Sequence, residues 1–565
     1  MHTFAMILDN PGEQPHQTRY RDPGQLKALG YSDLIVYPTT GLSGLLGPDT
    51  LANADLRRWV EQQYDSVQTS VSDARRAGLG AWLMYDAPAL AAELVGSAMT
   101  CIDPPGTAPA PGTGASGGAA KTLCPASDEL LDMCGQALEA LVARIDGVDG
   151  IVLRLGDSDA AKIPYLVGND VYLPHCSRCA SLGRADRLVR FVQFFYELVV
   201  QKLGRKLIVR AWNVRPGGMH DNPELCQRVV ERLPKDDRLI LSFKFTQTDF
   251  WRYQRWNPSS LVCGDRPIIY ELQCQREFEG KGAVPNYQAP LWRDGMTELD
   301  GAVGLAYIAP QVNLAGLWAW VRGGGWRGPY INPANEMWID VNVYAVPRLA
   351  ADPQADTDDL VRRWIAERLG VTDAAAPGAG ALLQVLKDSP RNVLEMFYIG
   401  PYAKGRPDPW RPSASFIQDD QIDAEAAWGA VQRLSDAALD EVVGEKQAAE
   451  HRLTEDQRLL QQVMAHLPAP LNERLPLSLQ YTITLAQTLR SLLGGLVAYR
   501  RWMRRGEPAL TQSAEKSMRI CQSCWVHHTQ RIATHGGPSP FSSDNLWDVT
   551  QRVIEHVHQG QGAAP

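Results

Sequence analysis

The sequence lacks any apolar run of the roughly 20 residues that a membrane-crossing helix needs. Positions 1–10 also lack a charged region followed by a long apolar stretch and a small-residue cleavage site. We therefore expect a strand there, not a signal peptide, and a cytoplasmic protein. The net charge is −8, whereas nucleic-acid binding favours a concentrated basic face. We expect neither a membrane nor a nucleic-acid partner.

Motifs for cofactors and metals are also scarce. No predicted strand is followed by a Gly-rich phosphate-binding fingerprint. Cys101 and Cys124 could pair only in an oxidising compartment, and most thiols in a cytoplasmic protein stay reduced. Cys176 and Cys179 have metal-ligand spacing without a second such pair nearby, and the Cys/His stretch 521–528 is crowded into one helical segment. A structural zinc ion needs four ligands brought together, so we predict buried thiols, no metal and no cofactor.

With 565 residues, the chain exceeds what one compact core usually supports. Up to residue 345, short apolar runs alternate with amphipathic segments, a pattern typical of a parallel sheet buried on both faces. Eight such units predict an α/β fold, a closed (β/α)₈ TIM barrel over residues 1–345. A doubly wound open sheet is the alternative. The runs are 4–8, 33–37, 80–85, 150–155, 206–211, 239–245, 267–272 and 314–320.

The pattern changes beyond the predicted barrel. Residues 346–565 contain long amphipathic segments with few strand-like runs, which predicts an all-α C-terminal domain. This domain could close one side of a cleft or form a homodimer interface. The segment 104–120 is rich in Pro, Gly, Ala and Thr, and we predict a mobile surface loop there.

Carboxylates follow neighbouring predicted strands. Asp249 follows the sixth apolar run and Glu277 follows the seventh. Barrel enzymes assemble their catalytic residues from the ends of different strands. An inverting glycoside hydrolase needs one protonated carboxyl group and one carboxylate about 6.5–9.5 Å away that activates water. The pattern favours a glycoside hydrolase, although any one of these residues could instead cap a helix or form an ion pair.

Cations and aromatic side chains accompany the carboxylates. Arg210 and Lys244 lie at neighbouring strand ends, where a cation inside a barrel needs a partner. They could form internal ion pairs with Asp249 or Glu277, or hold an anionic group of a substrate. Aromatic faces pack against the C–H surfaces of sugars. The predicted substrate-binding residues are Arg210, Lys244, Trp212, Trp251, Trp292, Trp326 and Glu271.

The stretch from Lys244 to the Asp249-Phe250 pair, followed by Glu277-Phe278-Glu-Gly, resembles the catalytic region of the family 67 glycoside hydrolases, the xylan α-glucuronidases. In that family a lysine precedes an Asp-Phe pair by five residues, and a Gln-Glu-Tyr-x-Gly motif follows on the next strand. The resemblance covers mainly residues 150–370. It implies that Asp249 and Glu277 jointly activate water, with inversion and without a metal. It also implies that Arg210 and Lys244 bind a uronate carboxylate.

The general acid of that family is a Glu in a Ser-Glu-Gly motif after the fourth strand. This chain has no Glu there, so we take Asp157 as the acid and Asp159 as the reserve. The resemblance implies an exo-acting hydrolase that releases a terminal uronic acid from an oligosaccharide. Two alternatives stay open. Arg210 and Lys244 could neutralise catalytic carboxylates in an enzyme for a neutral sugar, or the barrel could bind saccharides without cleaving them.

Overall fold

A computed structural model describes residues 1–101, 122–373, 376–405, 410–411, 417–534 and 538–562. Eight parallel strands close into a barrel in it, which confirms the predicted TIM barrel. The segment 104–120, predicted as a mobile loop, lies outside the described residues. The barrel strands are His2–Ile7, Asp33–Val36, Gly80–Asp86, Gly150–Gly156, Lys206–Asn213, Leu239–Lys244, Ile268–Gln273 and Leu314–Arg322.

The barrel strands are paired in chain order, and the eighth strand closes on the first through the register of Phe4 with Trp318. Nearly every residue of the central strands is buried, including the whole of Leu239–Lys244 and Ile268–Gln273. This is why these segments are almost continuously apolar, since helices cover the outside and side chains fill the inside.

Helices between the strands form the outer layer. Several begin at a side chain that caps the free N–H groups of the first turn: Asn53 accepts from Leu56 N, Ser127 from Leu130 N and Asn222 from Leu225 N. The α-helices of this layer are Pro23–Leu29, Ala54–Arg76, Asp128–Arg144, Ser177–Ser181, Arg184–Tyr196, Pro223–Val230, Ala289–Asp294, Leu305–Ile308 and Met337–Ala351.

Among its described residues, the region after the barrel is helical, as predicted, apart from one short β-hairpin. The hairpin pairs Ile417–Gln418 with Gln421–Ile422, and both turn residues, Asp419 and Asp420, have positive φ. Asp420 Oδ1 accepts a hydrogen bond from Gly280 N at 2.7 Å, which anchors the hairpin to the loop after the seventh barrel strand. The helices are Thr357–Leu369, Pro377–Phe397, Gly400–Lys404, Ala424–Arg433, Asp436–Val463, Ala469–Arg505, Pro508–Thr534 and Leu546–Gly562.

The helix Met337–Ala351 joins the two regions and crosses the predicted boundary at residue 345. It is buried almost throughout, and Asn342 Nδ2 donates to Cys274 O and Asn286 O at 3.0 and 2.9 Å. A continuous apolar core therefore runs from the barrel into the helical region, and the boundary at 345/346 stays a prediction. Within the described ranges no helix has the length and hydropathy needed to span a membrane.

Candidate active site

Asp249 and Glu277 lie together at the carboxyl end of the barrel, after the sixth and seventh strands. Asp249 Oδ1 accepts hydrogen bonds from Lys244 Nζ and, at 2.8 Å, from Phe250 N. Glu277 is 7% exposed, and its Oε1 has no hydrogen-bond partner in the part of the chain that the structure describes. Burial, and then the charge of Asp249, raise the pKa of Glu277 well above its ordinary value.

The two carboxyl groups lie in different environments. The Lys244 ammonium compensates the charge of Asp249, whereas burial beside a second acid favours the neutral form of Glu277. Pairs of titratable groups with such separated environments supply the acid and the base of many enzymes. The Asp249 carboxylate is held by Lys244 and Phe250 N, whereas Glu277 Oε1 has no hydrogen-bond partner among the described residues.

Asp157, the predicted general acid, is bound to a buried arginine. Its Oδ2 accepts a hydrogen bond from Arg210 Nη1 at 2.7 Å, and its side chain is 27% exposed. The same guanidinium donates through Nε to both carboxylate oxygens of Glu271, at 2.9 and 3.0 Å. Arg210 thus connects Asp157, after the fourth strand, with Glu271, in the seventh strand. Its Nη2 is buried and has no acceptor among the described residues.

Asp159, the reserve acid, is bound by Arg154, whose Nη1 also lies 3.8 Å from Asp157 Oδ2. It accepts from Arg154 Nη2 at 2.8 Å and from the Tyr37 hydroxyl, and Arg154 also binds Asp86. Burial opposes the charged form of Asp159, but Arg154 and Tyr37 outweigh it and lower the pKa of Asp159. A carboxylate held ionised in this way is poorly suited to donate a proton. Asp157 is also paired with an arginine, so the choice of Asp157 over Asp159 as the acid stays a prediction.

Lys244 is surrounded by aromatic rings. Its Nζ lies 3.6 Å from the ring centroid of Trp212, 4.6 Å from that of Phe250 and 5.3 Å from that of Trp320. Trp410, from beyond the barrel, stacks on Trp212 at 5.6 Å. Sequence reasoning missed Trp410, because its segment was predicted to be part of a purely helical domain.

The other predicted substrate-binding residues are not all at the mouth. Trp326 is half-buried beside Lys162 Nζ, which lies 4.0 Å from its ring centroid. Trp251 is almost fully buried and stacks on Phe278 at 3.5 Å. Trp292 and Glu271 are fully buried. Trp292 lies in the short helix Ala289–Asp294, and Glu271 binds Arg210. That these two residues contact substrate stays a prediction.

A glycine loop after the eighth strand forms a wall of the site. Gly324 has φ +97°, and a Cβ there would lie 2.1 Å from Gln273 Nε2 and 3.2 Å from Glu277 Oε2. Gln273 Oε1 in turn accepts from Glu277 N at 2.8 Å. Only glycine allows the loop backbone to come this close to the two side chains. The loop therefore packs against the Glu277 carboxyl group and against Gln273, which binds the backbone N–H of Glu277.

The hairpin of the helical region places a third carboxyl group, that of Asp419, near Glu277. Burial raises the pKa of Asp419, Lys281 opposes this in part, and the charge of Asp249 adds to it. A Cβ on Gly325 would lie 2.7 Å from Asp419 Oδ1 and 3.1 Å from the Cβ of Glu277. No pattern in the sequence signalled Asp419, because its position depends on how the hairpin docks on the barrel.

Comparison with known proteins supports the fold. No protein-family model matches the chain, and no curated protein matches it. Among solved structures, the chain is similar to a family 138 glycoside hydrolase described as targeting pectin rhamnogalacturonan II. The identity is 10% and the TM-score 0.53, over 99% of this chain and 83% of that one.

Two more solved structures are similar to the chain with TM-scores below 0.5. One is a mutant O-GlcNAc hydrolase from Thermobaculum terrenum, with 12% identity and a TM-score of 0.43 over 99% of this chain and 96% of that one. The other is described as CpGH84B, with 10% identity and a TM-score of 0.43 over 99% of this chain and 77% of that one. None of the three is described as a family 67 enzyme, so that resemblance stays a prediction.

Proposed function

We propose that this protein is an exo-acting, inverting glycoside hydrolase that releases a terminal uronic acid from oligosaccharides. The observation that carries the proposal is the Asp249–Glu277 pair, one carboxyl group balanced by Lys244 and the other buried with a raised pKa. The pair lies at the end of the barrel where enzymes with this fold place their catalytic residues.

The proposed reaction is a single displacement. Water attacks the anomeric carbon while the glycosidic C–O bond breaks, and Asp249 accepts the proton that the water loses. Glu277 Oε1, which has no partner within the described residues, accepts a hydrogen bond from the other hydrogen of the water. Asp157 donates its proton to the leaving oxygen. One proton enters at Asp249 and one leaves from Asp157, so the step balances and needs no metal.

The substrate class rests on the cations of the site. Arg210 keeps Nη2 without a partner in the described structure, and a guanidinium binds a planar carboxylate well. The Lys244 ammonium lies over Trp212, so a substrate carboxylate that reached Arg210 would meet a second cation nearby. The family 138 structure, which shares the fold, is described as acting on a pectic polysaccharide. Pectic oligosaccharides are therefore included among the substrates to test.

A specific observation favours a second candidate, an enzyme for a neutral sugar. Arg210 already binds Glu271 and Asp157, and Lys244 already binds Asp249. If these pairs persist when substrate binds, both cations serve only to compensate protein carboxylates, and no charge remains to select a uronate.

The deciding experiment incubates the purified protein with paired aryl glycosides that differ only at the carboxylate, such as glucuronide against glucoside and galacturonide against galactoside. Aldouronic and pectic oligosaccharides are tested in parallel. The proposal expects release only from the uronides, with the inverted anomer seen first by NMR. Release only from the neutral partners would favour the second candidate. Binding of oligosaccharides without any release would indicate a saccharide-binding barrel.

A further inference from the structure

Four cysteines converge outside the proposed active site: Cys101, Cys124, Cys176 and Cys179. Their Sγ atoms all lie within 4.8 Å of one another. The Cys101–Cys179, Cys124–Cys176 and Cys176–Cys179 sulfur pairs are 4.0, 3.6 and 3.7 Å apart. Three of the four residues are buried and Cys101 is partly so.

These distances fit a tetrahedral metal site better than disulfides. A disulfide requires a sulfur–sulfur distance of about 2.0 Å, whereas all four residues are free cysteines in this structure. A zinc ion with four thiolates at about 2.3 Å places its sulfurs at the corners of a tetrahedron with edges of about 3.8 Å. The three sulfur–sulfur distances in this structure, 4.0, 3.6 and 3.7 Å, lie on both sides of that value.

The surroundings suit thiolates rather than ordinary packed thiols. Cys179 Sγ accepts hydrogen bonds from the backbone N–H of His175 at 3.0 Å and of Cys176 at 3.2 Å. Arg178 Nε donates to Cys124 Sγ at 3.3 Å. Donors of this kind surround the sulfur ligands of metals, because they stabilise the negative charge on sulfur. The cysteines also form a packing cluster of their own, separate from the large apolar core.

We propose that Cys101, Cys124, Cys176 and Cys179 bind one structural zinc ion. Zinc is the commonest divalent ion that takes four sulfur ligands in a closed tetrahedral site. Such a site leaves no position open for water or substrate, so the ion takes no part in the proposed hydrolysis. The proposal is independent of whether the protein cleaves a glycoside.

The ion would connect two loops at one end of the barrel. Cys101 and Cys124 lie at the base of the loop after the third strand, where Cys101 N donates to Thr122 O and Cys124 N to Met99 O. Cys176 and Cys179 lie in the loop after the fourth strand, which also carries Asp157. Asn169 Nδ2 donates to Leu123 O at 2.9 Å between the same loops. Four metal–sulfur bonds would hold this contact far more firmly than that hydrogen bond.

The proposal differs from our expectation of ordinary buried thiols. One Cys-x-x-Cys pair without a second nearby gave no zinc pattern in the sequence, because the other two ligands are single cysteines from an earlier loop. The Cys521/Cys524 pair lies along one helix and does not appear among the ligand groups that converge within the described residues.

The test measures metal content of the full chain, purified under reducing conditions without chelator, by inductively coupled plasma mass spectrometry. We expect about one zinc per chain, released when a mercurial reagent blocks the thiols. Cys176→Ser and Cys179→Ser should lower zinc to background. Cys524→Ser, in the half-buried helical pair, is the matched control and should retain the full amount.

A second measurement does not depend on the variants folding. The wild-type protein, stripped of metal and then loaded with Co²⁺, should show intense sulfur-to-cobalt charge-transfer absorption and regain the thermal stability lost on stripping. The proposal is overturned if the reduced wild-type chain neither contains zinc nor binds added Zn²⁺ or Co²⁺. It is also overturned if the four sulfurs are found as disulfides by mass spectrometry, or if Cys524→Ser loses zinc while Cys176→Ser keeps it.

Discussion

Asp249 lies close enough to Glu277 for its charge to raise the pKa of that buried carboxyl group. The two residues follow different barrel strands and share no hydrogen bond in the described structure, yet Lys244 and the glycine loop hold both in place. The proposed chemistry depends on this unequal pair, in which Asp249 is bound by Lys244 and the raised pKa of Glu277 favours its protonated form.

Replacing either member should abolish turnover without unfolding the protein. Asp249→Asn removes the acceptor of the water proton, and Glu277→Gln removes the group that orients that water. We expect each to lower kcat by about 10²–10⁴-fold, the contribution that positioned acids and bases typically make. Asp265→Asn, at a largely exposed acid, is the control and should keep full activity. Near-normal rates in both site variants would rule out this mechanism.

The raised pKa of Glu277 predicts a pH-dependent stability difference. A buried acid with a folded-state pKa above its unfolded value stabilises the fold fully below the unfolded pKa, and this contribution is lost as pH rises through the folded pKa. Glu277→Gln keeps the shape and stays neutral at every pH. The Tm of Glu277→Gln relative to wild type should therefore increase as pH rises from about 4 to 8.

The matched control for this pH series is Glu473→Gln, at an exposed position. Its Tm should follow that of the wild type across the whole range. Parallel curves for wild type and Glu277→Gln would show that Glu277 titrates like an ordinary surface acid, contrary to the burial seen here.

A general acid at Asp157 predicts a dependence on the leaving group. Asp157→Ala should lower kcat/KM strongly for oligosaccharides, whose leaving alkoxide needs a proton. It should have much less effect on an aryl glycoside with an acidic phenol, which leaves without one. Equal losses on both substrates would instead indicate that Asp157 acts only through its hydrogen bond to Arg210.

Gly324 offers a test of how the wall of the site is built. Gly324→Ala would place a methyl group 2.1 Å from Gln273 Nε2 at φ +97°, so it suffers both backbone strain and a clash. Gly204→Ala has a positive φ of +63° and nothing within 4 Å, so it suffers strain alone, about 1 kcal/mol. We expect Gly324→Ala to lower the free energy of unfolding by about 2–4 kcal/mol and also to reduce kcat. Equal costs in urea unfolding would contradict the close packing at Gly324.

Much of the fold was predictable because its signals are local. Eight apolar runs separated by amphipathic segments are compatible with few architectures, since a parallel sheet must be covered on both faces. The positions of Asp249 and Glu277 just after two of these runs placed both at one end of the barrel. By contrast, the all-α expectation missed the hairpin Ile417–Gln418 to Gln421–Ile422. Its two-residue strands are too short to show the alternation of apolar and polar residues that identifies a strand in a sequence.

The sequence by itself determined the barrel, the helical region after it and the two carboxylates that the proposed chemistry requires. Only the tertiary structure decided that Glu271 binds Arg210, that Asp419 and Trp410 reach the barrel mouth, and that Cys101 and Cys124 meet Cys176 and Cys179. The physical reason is that secondary structure follows from spacing along a short segment. Contacts between loops depend on how distant segments dock, and neighbouring residues carry no signal of that docking.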